Sequence, residues 1–222
     1  MPAGAGLSVV FGGRPAKLPP MDRTSEAPED RPLPPPAGHS DPRLGRLVVL
    51  WGVPGTGKST FARWLAKEKG YEHVDTDALA LRGADTDLQR AWAAIDAPGG
   101  AEAFTEAAAV HPRPIVVEYG RWADGRGLPL LSRLRQLGAE PWWFDGDRAA
   151  AKEAWRDENR KGQRPFPDAN WDIVVGVIDA NWPLVGGFFG PMILRTIEAG
   201  GHHVPPADTY RRMLSIRAGG IG

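Results

Sequence analysis

Polar and apolar positions alternate in blocks along most of this 222-residue chain. Leu47–Trp51 is a continuous apolar run, the pattern of a central parallel strand covered on both faces. Ser59–Lys69 then carries an apolar stripe at helical spacing (Phe61, Ala62, Leu65, Ala66) and stops at Gly70. A second short strand is predicted over Tyr71–Val74, ending at Asp75-Thr76-Asp77. Residues 85–109 read as two helical pieces broken at Pro98-Gly99-Gly100, with Leu88, Trp92, Ile95, Phe104 and Ala108 inward. Ile115–Glu118 is a third strand, Leu128–Leu137 a helix, and Pro141–Phe144 a fourth strand. A helix begins near Arg148, where Asp147 suits a cap. Asp168–Phe189 reads as a return helix broken at Pro183, Met192–Ile197 as a fifth strand, and 206–216 as a closing helix. Strands alternating with helices predict an α/β fold with a parallel sheet.

The flanks differ from this block. Residues 1–43 are rich in Pro, Gly and charge, including Pro32-Leu33-Pro34-Pro35-Pro36, and bury too little apolar surface to offset their ordering entropy. The expected organisation is a disordered tail over 1–43, a domain over 44–218 and a disordered end over 219–222. The 27 basic and 27 acidic residues balance, which argues against a nucleic-acid partner beyond local arginine clusters. Absence of cysteine excludes disulfides and thiol catalysis. The longest nearly apolar run, Trp182–Leu194, is too short to span a bilayer and is broken by Pro183 and Pro191. With no leader pattern at the N-terminus, a cytoplasmic protein without a membrane contact is the expectation.

The chemistry concentrates between the first strand and helix. Gly52, four residues, then Gly57-Lys58-Ser59 fit the phosphate-loop pattern in its required strand–turn–helix context. Gly52, Pro54–Gly57 and Thr60 form the phosphate cradle, whose glycines let backbone N–H groups turn inward, and Arg156 is a further candidate nucleotide contact. Lys58 reaches the outer phosphates and the Ser59 hydroxyl reaches magnesium. Asp75 and Asp77 follow the second strand, at the edge where parallel sheets bind ligands, although either also suits a helix cap. Glu118 ends the third strand as an acid that orients magnesium or its waters. Arg121 and Trp122 follow it as candidate contacts for an anionic or hydroxylated substrate. Arg156 and Arg160 share a helix face, with Lys161 and Arg164 beyond. The basic segment of about 156–168, hinged at Gly162, suits a lid that neutralises charge in transfer. The adjacent His202 and His203 make a poor metal pair, and the loop at Glu198–Gly201 borders the expected base site.

In this order, the motifs over residues 45–217 resemble the P-loop kinases of small molecules and nucleotides. That group includes shikimate, gluconate, chloramphenicol and polynucleotide kinases and the zeta toxins. The resemblance implies a three-layer P-loop NTPase with a five-stranded parallel sheet ordered 2-3-1-4-5 and a small helical lid. It implies ATP and Mg2+ on the loop, and a small-molecule acceptor over the strand ends. Asp75 or Asp77 then serves as base or acceptor anchor, and Arg156, Arg160 or Arg164 as the lid arginine. Asp75, Glu118 and Ser59 serve the metal, and Glu118, Asp77, Arg121 and Trp122 the substrate. The third strand ends in Glu-Tyr-Gly-Arg-Trp rather than the glycine run of shikimate kinases, so the acceptor is not carried over. Two alternatives are a kinase of nucleotide or nucleic-acid 5′-hydroxyls, and an ATP-binding switch that transfers nothing. Oligomeric state is open.

Overall fold

In a computed structural model of the chain, the described residues are 43–77, 79, 83–119, 127–160 and 168–219. The greater part of the expected tail, Arg121, Trp122, residues 161–167 of the expected lid and the last three residues lie outside them. Five strands, β1 (Leu47–Gly52), β2 (Glu72–Asp75), β3 (Ile115–Glu118), β4 (Glu140–Gly146) and β5 (Ile193–Ile197), alternate with helices. These are α1 (Lys58–Lys69), α2 (Asp87–Ala93), α3 (Gly100–Val110), α4 (Gly127–Gln136), α5 (Arg148–Arg160), α6 (Asp168–Ala180), α7 (Trp182–Phe189) and α8 (Pro206–Ala218). The strands pair in parallel in the order β2-β3-β1-β4-β5, as the resemblance implied. A parallel sheet needs crossovers, and the helices provide them while covering both faces.

Alternation along β1 sorts its side chains. Leu47, Val49 and Trp51 enter one core with Trp143, Leu131, Leu134, Phe104 and Phe189. Val48 and Leu50 enter the other with Phe61, Leu65, Trp142, Phe144 and Met213. All six β1 residues are buried, which is why the run reads as continuously apolar. Many of the chain's nine tryptophans serve packing: Trp51 meets Tyr119 and Trp143 edge-on at 5.2 and 5.5 Å, and Trp143 lies 5.3 Å from Phe189.

Two boundaries move. Asp75 is the last residue of β2 rather than the first beyond it, and the chain turns helical at Thr76 and Asp77. The return helix divides at Asn181, with Pro183 in the first turn of α7, where a missing N–H costs no hydrogen bond. Asp147 accepts from the Ala150 amide at 2.9 Å, as expected of a cap. Among the described residues no single helix is long and apolar enough to cross a membrane; only the pair Ala169–Ala180 and Trp182–Met192, bent by 69°, matches by length and composition.

Close backbone approach fixes the turn after β1. Gly55 has φ +82, and a Cβ there would lie 2.0 Å from the Ala151 carbonyl oxygen in α5. Gly55→Ala therefore combines left-handed strain with a backbone clash. It is expected to destabilise the fold by about 2 kcal/mol or more, read as a lowered Tm; an unchanged Tm contradicts this packing.

Candidate active site

Because every strand runs the same way, the turn after β1, the ends of β2 and β3, and the exit of β4 share one edge of the sheet. The turn is held from several sides. The Val53 amide donates to the Phe144 carbonyl at 3.0 Å, and the Thr56 hydroxyl to the Val53 carbonyl at 2.7 Å. Thr196, at the end of β5, donates its hydroxyl to the Thr56 carbonyl at 2.8 Å. Trp171 in α6 donates its indole N–H to the Pro54 carbonyl at 3.3 Å. Gly57, at φ +85, starts α1, and no side chain among the described residues caps that end. The helix thus presents its positive N-terminal end to this edge. The Lys58 ammonium folds back over the turn, 3.2 and 2.9 Å from the Gly52 and Val53 carbonyls.

Beneath the turn sits a buried carboxylate. In the parallel register Asp75 stands opposite Glu118, and His73, two residues before Asp75, shares its face of the sheet. Glu118 is 6% exposed. One of its oxygens accepts the Ser59 hydroxyl at 2.7 Å, and the other lies 2.7 Å from His73 Nε2. Burial opposes the charged carboxylate. The hydrogen bonds from His73 and Ser59, with the charges of His73 and Lys58, outweigh it and hold the Glu118 pKa below its ordinary value.

The donor set suits a hard divalent ion. Ser59 donates its hydroxyl to Glu118 and so offers its oxygen as an acceptor, and Asp75 and Glu118 add carboxylate oxygens. Beside the loop, on the side of α5 and α8, lies a cleft of about 390 Å³ lined by Gly55, Gly57, Phe144, Asp157, Thr196 and His203, among others.

The structure thus brings Lys58, Ser59, Asp75 and Glu118 to one edge, with Asp77 two residues beyond the end of β2. Arg156, on α5, pairs with Glu153 at 2.5 Å. The side chain of Arg160, together with Arg121, Trp122 and Arg164, falls outside the described residues. Sequence reasoning passed over His73, although period-two alternation places it on the face of Asp75. It also passed over Thr196 and Trp171, which no local signal marks. His203, set aside as a metal ligand, lines the cleft.

The fold and the turn define a P-loop domain. A family model described as an AAA domain matches residues 47–172, and the chain belongs to that family. The chain is 36% identical over 101 residues to a shikimate kinase of Corynebacterium glutamicum, covering 45% of this chain and 57% of that one. It is 35% identical over 99 residues to a shikimate kinase of Geobacter sulfurreducens, covering 44% and 52%. It therefore spans little more than half the length of the curated relatives it matches. A gluconokinase structure from Sinorhizobium meliloti 1021 aligns with a TM-score of 0.46 at 21% identity, over 78% of this chain and 91% of that one. Over that part of its length, the curated proteins it is similar to are shikimate kinases.

The depressed Glu118 pKa sets a pH dependence. A carboxylate favoured by the fold adds stability above its unfolded pKa of about 4.3, and that stability fades as pH falls through the lower folded value. Glu118→Gln is expected to cost about 1–3 kcal/mol at pH 7, with the gap from the parent narrowing below about pH 4. Urea unfolding across pH 3–7 reads this; a gap that widens on acidification contradicts it.

Proposed function

We propose that this protein transfers the γ-phosphate of Mg-ATP to a hydroxyl group of a small molecule. The observation that carries the reading is the Ser59–Glu118 contact at 2.7 Å beside Asp75, which gathers oxygens suited to a cation next to the phosphate loop. The N-terminal end of α1 and the left-handed Gly57 suit a phosphate chain, whose oxygens accept from the loop amides. On that reading Lys58 exchanges its loop carbonyls for the β- and γ-phosphates. Ser59, Asp75 and Glu118 hold magnesium directly or through its waters; when bound, that ion neutralises phosphate charge.

The remaining work is positioning. Asp77 or Asp75 orients the acceptor hydroxyl and takes its proton as the oxygen bonds to phosphorus and ADP leaves. Arg121 and Trp122, after β3, contact the acceptor. An arginine of the 156–168 segment, Arg156, Arg160 or Arg164, stabilises the transferred group. The cleft between the loop and His203 takes the nucleoside, a use that its volume of about 390 Å³ permits.

Lys58→Ala is expected to lower phosphoryl transfer by at least ~10²-fold. Asp75→Asn and Asp77→Asn are expected to keep nucleotide binding, and at least one of them to lose transfer by a similar factor. Turnover with γ-labelled ATP and a nucleotide titration separate the two effects. Undiminished turnover in Lys58→Ala overturns the site. Unaffected transfer in both aspartate variants removes the base assignment.

A further inference from the structure

The buried cluster under the loop contains a nitrogen donor that magnesium chemistry does not call for. We propose that His73, Asp75 and Glu118 form a binding site for a divalent first-row transition ion of the Zn(II) or Co(II) kind. Each of the three offers one ligand atom, and these atoms all lie within 4.8 Å of one another. His73 Nε2 and a Glu118 carboxylate oxygen are 2.7 Å apart. Two donors on one tetrahedral ion with bonds of ~2.1 Å stand ~3.4 Å apart, so the pair at 2.7 Å must widen by ~0.7 Å to admit the ion between them.

The surroundings favour the same outcome. His73 and Glu118 side chains are 14% and 8% exposed, so the ion would sit in a largely dry recess. All three residues lie on paired strands rather than loops, with Asp75 in register with Glu118, so the donors are preset. Ser59, on its other oxygen, supplies the outer hydrogen bond that orients a ligating carboxylate. Magnesium prefers an all-oxygen shell, whereas imidazole with carboxylates suits zinc and cobalt. The site shares Asp75 and Glu118 with the magnesium ligands proposed above and adds His73, so its three ligands all come from β2 and β3.

The test uses the full chain without nucleotide. Zn(II) is titrated by calorimetry and Co(II) by its visible absorption, each with excess Mg2+ present as competitor. One equivalent is expected to bind, with a Co(II) spectrum carrying nitrogen ligation and a raised Tm on addition of Zn(II). His73→Ala and Asp75→Asn are each expected to lose affinity by at least ~10-fold. Circular dichroism of the metal-free variants reports whether they are folded. Should His73→Ala not fold, histidine NMR of the parent protein reads the same point, because ligation shifts the His73 ring resonances. Equal affinity in parent and folded variants, binding abolished by Mg2+, or His73 resonances unmoved by Zn(II) overturns the proposal. None of these readouts depends on phosphoryl transfer, so the site and the kinase reading fail independently.

Discussion

A charged carboxylate buried beneath a loop must be compensated, and that requirement organises this active-site edge. Glu118 is 6% exposed, so its charge survives only because both oxygens have partners. Those partners come from separate elements. Ser59 belongs to the first turn of α1 and His73 to β2, so one side chain ties the start of the helix to two strands. Removing a partner leaves a buried charge short of a hydrogen bond, which costs more than the bond itself contributes. The same hydrogen bond points the Ser59 hydroxyl proton at Glu118, so its oxygen can accept a cation.

The loop above is held by backbone rather than by side-chain bulk. A Cβ at Gly52 would lie 2.0 Å from the Phe144 carbonyl oxygen, and one at Gly55 equally close to Ala151. These glycines therefore answer to β4 and α5 as well as to any phosphate. Thr196 from β5 and Trp171 from α6 fasten two loop carbonyls, so the amides stay turned towards the binding face. Preset donors of this kind lose little reorganisation energy when charge develops near them. On the proposed reading the nucleoside lies in the cleft near His203 and the acceptor near Asp77, with the phosphate loop between them.

Much of this arrangement is legible in the residue order. β1 and β3 announce themselves because strands buried on both faces must be continuously apolar, and the Gly-Lys-Ser turn carries its own chemistry. Asp75 and Glu118 are visible because a carboxylate ending an apolar strand has few structural uses. His73 was harder to see. It stands in a four-residue strand, too short for alternation to distinguish a ligand from a half-buried edge residue, and its partner lies 45 positions away. Thr196 and Trp171 are harder still, since their partners lie 140 and 117 positions away and only the assembled sheet brings them together. The helix break at Asn181 rather than Pro183 has a local cause: proline is accommodated in a first turn, so it marks where the second helix begins.

The central claim is that the loop and its carboxylates move phosphate onto a hydroxyl. The most direct measurement incubates the protein with Mg-ATP and a panel of hydroxylated metabolites, nucleosides and oligonucleotides, and identifies products by mass spectrometry. The account predicts a small-molecule phosphomonoester formed in equal amount with ADP, and none with Lys58→Ala. Orthophosphate as the sole product alongside ADP across the panel, or phosphate transferred only to oligonucleotides, would contradict it.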